Sequence, residues 1–225
     1  MKALIFDMDG VVIDSEKYWD AQEFGLFQKI IPEWNREKHK SVVGLNIPDT
    51  YKVLSKAGVT LSEQKFALTI DRLAKNIYRT KAELMPGFLD LKNEINKRKI
   101  PVGLASSSRF TWINMALKKL GLENFFDTIT SSQEIKGQGK PAPDLYLLAA
   151  KKIGFKPNEC VAIEDSANGL KASRGAGLAT VITRTGYTDD HDFSGALALL
   201  PDLGEVSVPL LRHWHSHAYG SDKKM

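Results

Sequence analysis

Five short runs of apolar, mostly branched residues recur along the chain: KALIF at 2–6, PVGLA at 101–105, DTIT at 127–130, CVAIE at 160–164 and LATVIT at 178–183. Each is too brief for a helix and none alternates strictly, so each reads as a strand buried on both faces of a parallel sheet. Helical patterns separate the later runs, at about 87–99, 109–120, 143–154 and 166–176, each opened or closed by Gly, Pro, Ser or Asp. Strand and helix in alternation predict an α/β fold with a doubly wound, Rossmann-like parallel sheet. The weaker segment ALALLPDLGE is expected to add a last strand and a short helix.

One interval breaks this rhythm. From residue 15 to about 83 the periodicity is helical throughout, over 15–30, 33–41, 47–57 and 62–82, with Gly44, Pro48 and Gly58 marking turns. The expectation is an all-helical cap, residues 15–83, inserted after the first strand of a core made of residues 1–14 and 84–225. Met85-Pro86-Gly87 marks the return, where Pro fixes its own φ and Gly frees its neighbour. A chain of 225 residues is long enough for both parts.

The first strand ends on Asp7 and Asp9, two carboxylates one residue apart, before Val11-Val12-Ile13 resume the apolar character. Successive strand residues face opposite sides, so both acids can share a site only if the strand stops near Asp7 and Asp9 lies in the turn. In an open α/β sheet ligands bind beyond the carboxyl ends of the strands. Those ends also carry Ser106, Ser107 and Ser108 after the second strand, and Glu164 and Asp165 after the fourth; Lys140 precedes the helix at 143. An EF-hand loop also contains Asp-x-Asp but needs further oxygen ligands, which Val11, Val12 and Ile13 do not supply. Any one of these residues is ordinarily a helix cap or a turn former. Converging carboxylates repel unless protonated or bound to a shared cation, and hard oxygen donors without His or Cys favour Mg2+. With a lysine and hydroxyls to hold phosphate oxygens, the set fits phosphoryl transfer through an aspartyl-phosphate.

The formal charge of +4 arises from basic residues scattered among acidic ones, as in NEINKRK, which argues for a solvated surface and against nucleic-acid binding. A mild positive field still favours small anionic substrates. No apolar run approaches the ~20 residues that span a bilayer, and no leader pattern opens the chain, so the expectation is a cytoplasmic monomer without a membrane partner. Cys160, the only cysteine, lies in a strand and reads as a small core side chain. His213, His215 and His217 alternate in the tail RHWHSHAYGSDKKM, a spacing that offers a metal site; beside a terminus with Gly and Lys the expectation is a frayed or vector-derived end.

FDMDG, LASSS, GKPAPD and IEDSANG, in this order and spacing, resemble the four motifs of the haloacid dehalogenase superfamily, in the subgroup with a helical cap after strand one. The opening FDMDGVVIDSEKYWDAQE is similar to that of the β-phosphoglucomutase-like phosphatases of sugar and hexitol phosphates. The resemblance implies that Asp7 attacks phosphorus, that Asp9 serves as acid and then base, and that Lys140 pairs with phosphate and Asp7. It implies Mg2+ held by Asp7, the Asp9 backbone carbonyl and Asp165, with Glu164 ligating directly or orienting metal-bound water. Ser106 would hydrogen-bond the phosphate of a small phosphate ester, and Ser107 and Arg109 are further substrate candidates. In the cap, Trp19 reads as core or as a surface for the sugar; Asn46 and Lys75 are candidates on spacing alone. A phosphosugar mutase is the alternative, and a silent phospholigand scaffold a remote one. Trp19 and Leu45-Asn46-Ile47 stand where such mutases carry a histidine and an arginine, which weighs toward a phosphatase.

Overall fold

The computed structural model describes residues 1–219. Six strands form one parallel sheet: β1 (Ala3–Phe6), β2 (Val102–Ser106), β3 (Thr128–Ser131), β4 (Cys160–Glu164), β5 (Ala179–Thr183) and β6 (Ala198–Leu200). Their order is β3-β2-β1-β4-β5-β6. Every residue of β1, β2, β4 and β5 is buried, which is why those runs are continuously apolar instead of alternating.

Helices cover both faces. Between β1 and β2 come α1 (Glu16–Ile30), α2 (Arg36–Lys40), α3 (Ile47–Lys56) and α4 (Glu63–Asn76), which form the helical cap, and then α5 (Phe88–Arg98). After β2 come α6 (Phe110–Leu120), α7 (Asp144–Ile153), α8 (Ala167–Gly175) and α9 (Val208–Tyr219). Asn35, Asn46 and Ser62 cap the N-termini of α2, α3 and α4 by accepting from Lys38, Asp49 and Lys65 backbone N–H groups. The two strands of chain linking cap and core run side by side: Asp14 N–H donates to Glu83 O at 2.9 Å and Met85 N–H to Val12 O at 3.0 Å.

Two expectations change. The helix expected over 62–82 stops being α-helical at Asn76 and continues as a π-helical turn, Ile77–Lys81. The tail is not frayed up to residue 219: α9 packs on α5, with Val208, Leu211 and His215 on its buried face. His215 Nε2 bonds Asn158 O at 2.8 Å, so alternation along the sequence became separation around a helix, with His213 and His217 on the exposed side. The remainder of the tail lies outside the described residues. No helix among the described residues is long and apolar enough to cross a membrane.

Candidate active site

Asp7, immediately after β1, donates its N–H to Ile163 O at 3.0 Å, so it sits level with the end of β4. β1 and β4 meet where the strand order reverses, the crevice in which an open sheet presents ligands. Asp9 is already in the turn closed by Gly10, whose φ is +79°. A Cβ on Gly10 would stand 2.1 Å from Asp165 Oδ2, so the turn needs glycine for both its backbone and its space.

Lys140 is 2% exposed and bridges the two strand ends, donating to Asp7 Oδ1 and Glu164 Oε1 at 2.5 Å each. Glu164 is saturated: Oε1 also accepts from Tyr146 OH at 2.7 Å, and Oε2 accepts from Asp165 N, Ser166 N and Ser166 Oγ at 3.0–3.2 Å. Its carboxylate occupies the space where a side chain on Gly169 would be, 1.9 Å from an ideal Cβ. Asp165 is the opposite case, for its buried Oδ2 has no hydrogen-bond partner. One carboxylate oxygen from each of Asp7, Glu164 and Asp165 falls within 4.8 Å of the others.

The charges are far from balanced. Burial lifts Asp7 to about 7, against the pull of Lys140. Burial, then the nearby Glu16, Glu164 and Asp7 carboxylates, push Asp165 well above the carboxylate range. Burial would lower the Lys140 ammonium, but Asp7 and Glu164 outweigh it and raise it. Burial would raise Glu164, but Lys140 outweighs it and keeps it ionised. An orphaned buried oxygen among mutually repelling carboxylates, with no His or Cys, fits a hard divalent cation such as Mg2+.

Asp9 has its own partners. Ser15 Oγ and Tyr78 OH donate to Oδ1 at 2.5 and 2.8 Å, and Ser108 Oγ donates to Oδ2 at 3.2 Å. Burial raises the Asp9 carboxyl, and these three bonds restrain the rise.

Asp7, Asp9, Asp165 and Lys140 line one cavity together with Ser106, Ser107 and Ser108. Its cap wall includes Glu16, Trp19, Asp20 and Glu23 from α1, and His39, Asn46 and Thr50. Trp19 is both core and wall: 9% exposed, it packs edge-on to Tyr78 with ring centroids 6.0 Å apart. Asn46 lines the cavity while its amide donates to Asp49 Oδ2 at 2.8 Å. Ser107 Oγ turns to the cap, donating to Gly44 O at 2.8 Å. Arg109 does not line the cavity, because as N-cap of α6 it places its guanidinium over the Trp112 ring. Lys75 stays on the surface, ion-paired to Asp71 at 2.6 Å.

Sequence reasoning missed Tyr78, Ser15, Tyr146 and the acids Glu16 and Glu23. Tyr78 was not legible, because nothing in the periodicity of 62–82 signals a π turn. Tyr146 was not legible either, because α7 packs mainly on β2 and β3 and only the fold brings its first turn to Glu164.

The family model of the haloacid dehalogenase-like hydrolases matches residues 1–177. The protein YhcW of Bacillus subtilis (strain 168) is 34% identical over 224 residues, spanning 94% of this chain and 96% of YhcW. Hexitol phosphatase B of Escherichia coli (strain K12) is 30% identical over 190 residues, covering 80% of this chain and 82% of that enzyme. The crystal structure of β-phosphoglucomutase from Clostridium difficile shares the fold, with a TM-score of 0.80 at 21% identity over 97% of this chain and 98% of that one. The chain belongs to the haloacid dehalogenase-like hydrolases.

Proposed function

We propose that the protein is a Mg2+-dependent phosphatase that hydrolyses monophosphates of sugars or sugar alcohols through an aspartyl-phosphate on Asp7. The reading is carried by one observation: a carboxylate held by a buried lysine and a second carboxylate held by three hydroxyls line the same cavity. Asp7, Asp165 and the Asp9 backbone carbonyl would hold the cation, and Glu164, already saturated, would hold Lys140 instead of the metal. When bound, the cation neutralises phosphoryl charge that would otherwise repel an anionic nucleophile.

In the first half-reaction an Asp7 oxygen bonds phosphorus, the P–O ester bond breaks, and Asp9 gives its proton to the departing alkoxide. In the second, Asp9 takes a proton from water, the water oxygen bonds phosphorus, and the Asp7–phosphorus bond breaks to release inorganic phosphate. Lys140, Ser106 and backbone N–H groups of the 106–108 turn would bind the nonbridging oxygens. The helical cap, residues 15–83, would close over the core formed by 1–14 and 84–225 and exclude water until the alcohol has left.

The cap wall supports the substrate class. Among the described residues, Lys140 is the only lysine or arginine lining the cavity. Burial lowers His39, and Trp34 Nε1 donates to its Nδ1 at 3.3 Å, so it stays uncharged at neutral pH. Glu16, Asp20, Glu23, Asn46 and Thr50 offer acceptors to hydroxyls but no seat for a second phosphate. That favours a phosphatase over a mutase, whose bisphosphate intermediate carries two. Hexitol phosphatase B, among the relatives, is named for a substrate of this kind.

The test is phosphate release with Mg2+ from hexose, 2-deoxyhexose, hexitol, triose and nucleotide monophosphates. Release from hexose or hexitol phosphates, abolished by Asp7→Asn and by EDTA, is the expected result. No release from any of them, with β-glucose 1-phosphate converted to glucose 6-phosphate in the presence of a bisphosphate primer, would establish the mutase instead.

A further inference from the structure

We propose that Tyr78, acting with Ser108, is a positioning residue that holds the Asp9 carboxyl group in the orientation from which it serves the leaving group. The inference rests on the reading of Asp9 as acid and base.

A phenol has one proton to donate. Trp19 Nε1, a donor only, gives its hydrogen to the Tyr78 oxygen at 3.2 Å. The proton of Tyr78 is therefore free to point away, to Asp9 Oδ1 at 2.8 Å. Ser15 Oγ donates to the same Oδ1 at 2.5 Å. Two hydroxyls from different segments therefore fix Oδ1. Ser108 Oγ is the group beside Oδ2, at 3.2 Å, and it also lies 3.1 Å from the Tyr78 oxygen. Ser108 donates to Oδ2 and joins the two oxygens of the carboxyl group through Tyr78. Both oxygens of Asp9 are thus held by hydroxyls, and the carboxyl group cannot turn about its Cβ–Cγ bond without breaking them.

The origin of Tyr78 gives this arrangement a second consequence. The residue belongs to the π-helical turn Ile77–Lys81 on the return from the cap, and such local widenings of a helix recur where a side chain must be re-aimed. Tyr78 is fully buried, wedged between Trp19 at 6.0 Å and Trp112 at 6.3 Å centroid to centroid. Asp9 thus owes part of its orientation to a segment of the cap return, 69 residues from the loop that carries it.

The experiment uses Tyr78→Phe, which keeps the ring and removes the hydroxyl. kcat/KM is measured for a hexitol phosphate, whose alkoxide must be protonated as it leaves, and for 4-nitrophenyl phosphate, whose phenolate leaves unaided. The expected result is a fall of about tenfold or more in the ratio of alkyl to aryl kcat/KM, a fraction of the ~10²–10⁴ that general acid catalysis supplies. Equal losses on both substrates, or no loss, would overturn the proposal and leave Tyr78 a packing residue. Should Tyr78→Phe fail to fold, Ser108→Ala is read in the same way, since phosphate binding cancels in the ratio. Asp9→Asn serves as the reference. If it leaves the ratio unchanged, the acid reading of Asp9 fails; if it collapses the ratio while Tyr78→Phe does not, only the role of Tyr78 fails.

Discussion

Replacing Asp165 by Asn should make the metal-free protein more stable while destroying its activity. The side chain is 3% exposed and its Oδ2 has no partner. Burial and then Glu16, Glu164 and Asp7 push its carboxyl far above the ordinary range. An isosteric amide removes the charge and offers N–H donors to those same neighbours. Relieving one buried unsatisfied polar group is worth about 1–3 kcal/mol. At about 2–4 °C per kcal/mol for a chain of this size, Tm should rise by roughly 2–12 °C. The sign with pH follows from linkage: a carboxyl whose folded pKa is raised binds more protons in the native state than in the unfolded chain. The wild-type protein is therefore penalised above the unfolded value of 3.8 and relieved as pH falls below it, so the gain from Asp165→Asn should be largest at pH 8 and vanish near pH 3. Thermal unfolding in EDTA across that range, paired with phosphate release in Mg2+, tests both halves. A lower Tm for the variant at pH 8, or activity within tenfold of wild type, would refute the reasoning.

Three further outcomes follow from other contacts. Lys140→Met strips the partner from two buried carboxylates and should cost about 3–5 kcal/mol, read by urea unfolding, along with all phosphatase activity. Asn168 Nδ2 donates to Val43 O at 2.8 Å, a hydrogen bond from the core to the cap loop, so Asn168→Ala should cost about 0.5–1.5 kcal/mol of stability and raise KM more than it lowers kcat. Burial pushes the Cys160 thiol up to about 11, leaving it protonated at pH 8; mass spectrometry after iodoacetamide should find the native protein unmodified and the urea-unfolded protein alkylated.

Much of this architecture is written in local pattern. The run Ala3–Phe6 is apolar at every position because both faces of β1 are covered, and its abrupt end at Asp7 follows from the chain leaving the sheet. Ser62 before the pattern at 63 and Gly121 after that at 120 mark helix ends by chemistry that acts over three residues. Ordered motifs at the ends of β1, β2 and β4 brought Asp7, Ser106–Ser108 and Asp165 to one cavity, because a parallel sheet delivers all its strand ends to one edge.

What the pattern could not supply is the partner of each group. Asp165 and Glu164 are adjacent and chemically alike, yet one is orphaned and the other saturated, because Lys140 and Tyr146 arrive from segments 18 to 24 residues away in sequence. Tyr78 reaches Asp9 across 69 residues, and Asn168 reaches Val43 across 125. Arg109 and Lys75 looked as available as Asn46 by spacing, and only packing turned them away from the cavity. Strand and helix periods report which face is buried, a property of neighbours along the chain. Hydrogen-bond partnership and pKa depend on groups brought close by the fold, so the chemistry was legible in residue type while its wiring was decided by tertiary structure alone.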